Sequence, residues 1–338
     1  MGGLARIERV QRGIGKGALW IENPVDIRYL TEISVSRGLM VVERARAILF
    51  VDSRYLDAVQ GRSPCEVALW EKGAPGKWLT APAALLDSAY TPIETLETLR
   101  RDYPAIEWSY SPRLLEKARS VKDPSELTAL KRAAEVTRLG HQAAEAALLD
   151  GATEAEVAWV FEKTVRQAGA SRLAFEPIVA FGSHSAFPHH RACKAALHSG
   201  EAALIDAGAV VDGYAGDQTR FYPRGFRPLA QWLEWVKAAQ EIAAQLAAPG
   251  VLVGDLDRAV RDFFRSKGVE ELFSHSLGHG IGLETHEFPR LKWDGPDRAV
   301  PLAPGMAFTI EPGLYQKGVG GVRWEDVFVV TETGCERC

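Results

Sequence analysis

The chain carries one pattern twice, and a repeat of that kind dictates a two-half architecture before any single residue acquires a role. Residues 151–169, GATEAEVAWVFEKTVRQAG, and 250–268, GVLVGDLDRAVRDFFRSKG, have the same length between flanking glycines. Val157, Phe161 and Val165 match Leu256, Val260 and Phe264 in phase, which predicts the same amphipathic helix with a glycine stop in both places. Farther on, Gly200-Glu-Ala-Ala-Leu-Ile-Asp206-Ala-Gly208 aligns with Gly305-Met-Ala-Phe-Thr-Ile-Glu311-Pro-Gly313, with an acid six residues after the first glycine in both. Asp217 follows Asp206 by 11 residues, and Glu325 follows Glu311 by 14. Two helix-plus-hairpin halves, each bearing two acids, are expected to face each other across a pseudo-twofold axis.

In the first half, Ala202 to Ile205 read as a core strand, Asp206-Ala-Gly208 as a break and Asp212-Gly213 as a hairpin turn. Tyr214 to Tyr222 return as the second strand, ending at Pro223. A carboxylate in such apolar surroundings must be paired, protonated or bound to a metal, because its desolvation costs several kcal/mol. Four acids meeting at one place repel one another unless cations sit among them. Hard divalent ions accept carboxylate oxygens, and an adjacent imidazole favours manganese, iron, cobalt or zinc over magnesium or calcium. The glycine-rich segment Ser274-His275-Ser-Leu-Gly-His279-Gly-Ile-Gly282 offers that imidazole. Of eight histidines, five (His184, His189, His275, His279 and His286) fall in glycine-flanked loops near the acid-bearing hairpins. A metal pair held by two aspartates, two glutamates and a histidine points to metal-assisted hydrolysis, with ions roughly 3.5 to 4 Å apart generating a bridging hydroxide. Spacing does not choose between a peptide bond and a phosphate ester, although the lack of a GxxxxGK[ST] loop leans against phosphate.

The first 120 or so residues read as a small α/β unit, with a helix over Leu4 to Gln11 and strands at Ala18–Ile21, Gly38–Val42 and Ala47–Val51. Asp52-Ser53 is expected to cap a short helix through Val59. Asp123-Pro124-Ser125-Glu126 is a helix start with a capping box, so the domain boundary is expected just before it, dividing the chain into residues 1–120 and 121–338. That helix is expected to bury Leu127, Leu130, Ala134, Val136 and Leu139 and to run to near Asp150-Gly151. At 338 residues the chain can build one large or two ordinary domains. A formal net charge of -4 without long blocks of one sign argues against a nucleic-acid partner. No run of about 18 apolar residues is present to span a bilayer, and the start lacks a secretory core, so a cytoplasmic location is expected. Four scattered cysteines make no disulfide framework, and Cys335-Glu-Arg-Cys338, without a second pair, reads as an incidental tail.

The ordered motifs IDAG at 205–208, GYAGDQTR at 213–220, HSLGHGIGL at 275–283, THEFP at 285–289, IEPGLY at 310–315 and VRWED at 322–326 resemble the metal-dependent Xaa-Pro peptidases of the pita-bread superfamily, prolidase and aminopeptidase P. Ile27-Arg-Tyr-Leu-Thr31, Asp52-Ser-Arg-Tyr55 and Lys122-Asp-Pro-Ser-Glu126 are similar to that family's amino-terminal domain and linker helix. The resemblance implies a small α/β domain followed by an α+β pita-bread catalytic domain with an internal pseudo-twofold repeat. It implies two divalent ions, manganese ahead of cobalt or zinc, with Asp206 on one, Asp217 and Glu325 bridging both, and His279 and Glu311 completing the other. It further implies that His286 steadies the tetrahedral intermediate, that His189 and His275 line the substrate pocket, and that Glu311 shuttles a proton to the leaving proline nitrogen. Tyr315 and Arg323 are implied as partners of the first aspartate at the substrate-binding side.

The substrate expected is a proline-containing dipeptide or short peptide. Release of the first residue from longer Xaa-Pro peptides, or of a carboxy-terminal proline, is the alternative, and a catalytically silent binding module is the reading from another class. A homodimer is expected, with Trp232 and Trp235 open to either its interface or core packing. Metal analysis tests the ligand set: Asp217→Ala should lose divalent ion relative to wild type, and equal content in the two proteins would remove the five-ligand scheme.

Overall fold

Both copies of the repeat form the same elements. Their helices, Glu154–Gln167 and Val253–Ser266, each have 14 residues. Val157, Phe161, Val165, Leu256, Val260 and Phe264 are all completely buried, each helix burying the stripe expected of it. The flanking glycines adopt left-handed backbone in both copies, with φ of 87° at Gly151 and Gly250, 101° at Gly169 and 70° at Gly268. Only glycine takes that conformation without a steric penalty, so the repeat extends to its punctuation. A computed structural model describes residues 2–225 and 227–338, and the chain divides into one unit ending at Arg119 and a second, Ser120–Cys338.

The second unit holds the paired hairpins. Strand Ala203–Ala207 pairs antiparallel with Gln218–Tyr222, setting Asp206 opposite Thr219. Strand Ala307–Ile310 pairs likewise with Asp326–Val330. An antiparallel bridge between Thr219 and Glu325 links the two hairpins, the Glu325 N–H donating to the Thr219 carbonyl at 3.2 Å. All four acids of the repeat lie on or beside these strands, so the seam between the halves is where they gather.

Asp212 and Gly213 form the expected two-residue turn, with φ of 51° and 89°, between Ala209–Val211 and Tyr214–Ala215. The break expected over Asp206-Ala-Gly208 falls at its last residue, Gly208, with Asp206 and Ala207 still inside the strand, and a second interruption at Gly216 divides the returning strand expected to run unbroken from Tyr214 to Tyr222. A Cβ on Gly208 would run into the Gly216 carbonyl, and one on Gly216 would come within 2.5 Å of Thr137 Oγ1 on the overlying helix. Backbone has to touch backbone there, and that contact splits the returning strand just before Asp217.

The helix Pro124–Ala146 opens on the expected capping box: Asp123 accepts from the N–H groups of Ser125 and Glu126, while Glu126 accepts from the Asp123 N–H at 3.0 Å. It ends at Ala146, short of the expected Asp150-Gly151. Leu130 and Val136 are buried as expected, but the rest of the buried face runs through Ala133, Thr137, Gly140 and Ala144, with Leu127 and Ala134 only partly buried and Leu139 40% exposed. Small residues win that face because neighbouring layers come close: a Cβ on Gly140 would lie 2.6 Å from both Phe161 and Val165. Among the described residues no helix is long and apolar enough to cross a membrane. Trp232 packs in the main core with Trp235 partly buried against it, which is the packing alternative for this pair. The tail strand Cys335–Arg337 pairs with Asp326–Val330, and all four cysteines are free thiols.

The amino-terminal unit is a six-stranded mixed sheet in the order Glu66–Leu69, Arg46–Val51, Gly38–Glu43, Ala18–Ile21, Ala83–Asp87, Glu107–Ser111. Asp52 caps the helix Ser53–Val59 through the Arg54 N–H, as its sequence predicts. Gly140→Val should lower stability to urea by about 1–3 kcal/mol through overpacking, although valine replaces a poor helix former. Unchanged stability would mean that the two helices do not need this close approach.

Candidate metal centre

Three of the expected ligands converge most tightly. Asp217, His279 and Glu325 are each at least nine-tenths buried, and their ligand atoms all lie within 4.8 Å of one another. Glu311 joins them, its Oε1 standing 3.3 Å from His279 Nε2, while Asp217 Oδ2 is 3.7 Å from the same nitrogen. Asp206 lies outside the tight group and is held from behind by Arg323, whose Nη2 donates to Oδ2. Each position follows from local sequence: Gly216 bends the strand before Asp217, and a Cβ on Gly278 would collide with the Thr309 carbonyl just before His279.

Second contacts orient these groups. The His279 ring donates from Nδ1 to the Gly280 carbonyl at 3.0 Å, which leaves the Nε2 lone pair facing the acids. Thr309 Oγ1 accepts the His279 N–H at 3.1 Å and donates to Glu311 Oε1 at 3.2 Å. Thr219 Oγ1 donates to Glu325 Oε2 at 2.6 Å. Sequence reading passed over both threonines, although Thr309 is a lone hydroxyl in an otherwise apolar strand, and both are completely buried. Arg323 places its remaining donors on Thr219 Oγ1 at 3.0 Å and on Tyr315 Oη at 2.7 Å, and Tyr315 in turn donates to His275 Nε2 at 3.0 Å. His275 donates from Nδ1 to the Ser276 carbonyl at 2.8 Å, so both of its nitrogens are engaged within the protein.

The remaining histidines separate into two groups. His286 packs against His279 with ring centroids 4.1 Å apart and planes tilted by 51°, while His189 is exposed. His184, expected near the acids, instead contacts Glu154 at 2.7 Å, because the short helix Gly182–Ala186 turns its ring towards the helix Glu154–Gln167. That correction removes one of the five clustered histidines from the centre.

Electrostatics at the acids are those of a cation site. Burial pushes the carboxyl pKa values of Asp217 and Glu325 well up, and the neighbouring acids push them further. Glu311 rises to about 8, chiefly through burial, against the lowering pull of Arg323. His279 falls to about 3 through burial and the nearby His286, which keeps the ring neutral and able to ligate. Two buried oxygens, Asp206 Oδ1 and Asp217 Oδ1, have no hydrogen-bond partner. Unpaired oxygen atoms among four acids and a neutral imidazole are the donor set that divalent ions require.

Comparison with known proteins agrees with this geometry. Residues 128–332 match the model of "Metallopeptidase family M24", and residues 5–121 match "Creatinase/Prolidase N-terminal domain". The chain belongs to metallopeptidase family M24. An Xaa-Pro dipeptidase of Pyrococcus furiosus is 30% identical over 98% of this chain and 97% of its own. The prolidase structure of Pyrococcus horikoshii superposes with a TM-score of 0.91 at 28% identity, covering 99% of this chain and 97% of that one. An X-Pro aminopeptidase of Thermotoga maritima superposes at 0.89 with 30% identity, covering 97% of each chain. The M24 unit is thus the pita-bread fold implied by the family resemblance, following a creatinase-type amino-terminal domain. Membership in this metallopeptidase family implies divalent metal, and the acids and imidazole fit it.

The raised acids set a pH dependence. A carboxyl group with a folded pKa near 8 keeps its proton while the unfolded chain loses it from about pH 4.5, so its contribution to stability falls as pH rises through that window. Cation binding needs the ionised form and grows over the same range. The gap in Tm between manganese-loaded and chelated protein should therefore widen from pH 5 to pH 8, and a pH-independent gap would contradict ligation by these acids.

Proposed function

We propose that this M24 protein hydrolyses the bond before proline in Xaa-Pro dipeptides, with two divalent ions, manganese foremost, held by Asp206, Asp217, His279, Glu311 and Glu325. The observation that carries the reading is the buried gathering of these acids around a neutral imidazole, in a chain similar over nearly its full length to a named Xaa-Pro dipeptidase. When bound, divalent ions polarise the scissile carbonyl and make water acidic enough to ionise near neutral pH.

The chain's own groups supply the rest. Glu311, partly open to solvent with Oε1 held by Thr309, takes the proton of the attacking water and returns it to the proline nitrogen, a leaving group that must be protonated to depart. His286, held above the His279 ring, donates to the developing oxyanion. His189 borders the substrate on the exposed side. Arg323, Tyr315 and His275 form one hydrogen-bonded chain behind Asp206 and position it, with the His275 edge bordering the bound peptide. The tertiary amide before proline has no N–H and a fixed φ, which makes a dedicated site worthwhile. Four free thiols suit a reducing, cytoplasmic compartment.

A second reading, release of the first residue from longer Xaa-Pro peptides, draws on the likeness to the Thermotoga maritima X-Pro aminopeptidase. A manganese-supplemented assay of Ala-Pro beside a longer Ala-Pro peptide separates the two: faster turnover of the dipeptide is expected, preference for the longer peptide supports the second reading, and no cleavage of either sinks both. His286→Ala should reduce kcat by about 100- to 1,000-fold with metal content intact. Wild-type kcat in that variant would remove His286 from the oxyanion role.

A further inference from the structure

A second group of metal-ligating side chains, sharing no member with the five above, comes together at the first turn of the helix Glu154–Gln167. Glu154 is completely buried, and its two oxygens receive five contacts. Oε1 accepts from the Phe181 N–H at 2.9 Å and from His184 Nδ1 at 2.7 Å. Oε2 accepts from His190 Nε2 at 2.8 Å, and from the Cys193 N–H and Sγ, each at 3.1 Å. The two imidazoles stack with centroids 4.5 Å apart and planes 31° apart, so both rings aim at one carboxylate. Ligand atoms from all four side chains lie within 4.8 Å of one another.

Backbone N–H groups of Phe181 and Cys193 already meet the minimum need of a buried carboxylate, one on each oxygen. Two imidazoles and a thiol converge on it in addition, each presenting a proton that a metal ion can replace. We propose that Glu154, His184, His190 and Cys193 form a second, mononuclear site for a borderline-soft divalent ion, zinc foremost. Two nitrogens, one sulfur and one carboxylate oxygen are a tetrahedral zinc set, and His190 and Cys193 have the two-residue spacing of paired zinc ligands. A thiolate with imidazoles selects zinc or cobalt over manganese or magnesium, the reverse of the acid-rich centre's preference.

Tetrahedral ligands at roughly 2.0–2.3 Å from an ion stand roughly 3.3–3.8 Å from one another, so the present contacts must open by about half to one ångström. His184 has a side chain 37% exposed and Cys193 lies in an exposed segment, which leaves room for that adjustment. On binding, each ring moves its proton to its other nitrogen and the thiol releases one proton to solvent. The ion ties the segment from Phe187 to Cys193, which includes His189, to the helix Glu154–Gln167. The inference stands on these four residues and is independent of the peptidase reading.

The test is titration of the full-length, reduced, chelator-stripped protein with cobalt(II), following the thiolate-to-cobalt charge-transfer band in the near ultraviolet. The carboxylate and imidazole ligands of the first centre cannot produce this band. One equivalent of band is expected in wild type, displaced by zinc and absent in Cys193→Ser, with cobalt affinity at this site at least about tenfold weaker in His184→Asn. No band in wild type, or a band surviving in Cys193→Ser, overturns the proposal. A chain with Cys65, Cys335 and Cys338 changed to serine must keep the band; its loss there also overturns the site, and circular dichroism checks that each variant is folded. Failure of the first centre would appear in total metal content and leave this band unchanged.

Discussion

Mutual repulsion among acids in a buried seam is the constraint around which the second unit is built. A backbone bridge between Thr219 and Glu325, reinforced by Arg220 on the Glu325 carbonyl and on Asp326, ties one hairpin to the other, and Asp206, Asp217, Glu311 and Glu325 all come to lie along that junction. Nothing among the described residues neutralises them fully. Arg323 is committed to Asp206, and the threonines each serve one carboxylate. Burial and mutual repulsion push Glu311, Asp217 and Glu325 towards the protonated state, and divalent cations relieve that repulsion.

Glu154 shows the contrast within the same unit. Burial pushes its carboxyl group up as well, yet hydrogen bonds from His190, Phe181, His184 and Cys193 hold it below the usual value. Glu154 and Glu325 therefore differ because one is surrounded by donors and the other lies chiefly among further carboxylates. Imidazoles and a thiol that can be deprotonated make Glu154 a site for a softer ion, whereas a surplus of carboxylate oxygens over donors makes the seam a site for harder ones.

Much of this was legible in the residues themselves. The repeat announced itself in Val157, Phe161 and Val165 against Leu256, Val260 and Phe264, because a helix that buries one stripe must repeat it every turn. Asp123 to Glu126 and Asp212-Gly213 were legible for the same local reason, since caps and tight turns are made by neighbours in sequence. The face of the helix Pro124–Ala146 was not: Leu139 is more apolar than Gly140, but Gly140 faces inward because Phe161 and Val165 come too close for a side chain. Likewise the interruption of the returning strand at Gly216 depends on two backbones meeting, which no single stretch of sequence records.

The sequence by itself determined the pairing of acids, the helices before them and the kind of chemistry that such acids invite, because period, glycine position and residue type are local properties. Only the tertiary structure decided which groups share a site. It put Thr219 on Glu325, Thr309 on Glu311 and Arg323 on Asp206, and it turned His184 away from the centre to Glu154. Those assignments depend on contacts between residues as far apart as Thr219 and Glu325, and such contacts exist only once close packing has brought the two halves of the repeat together.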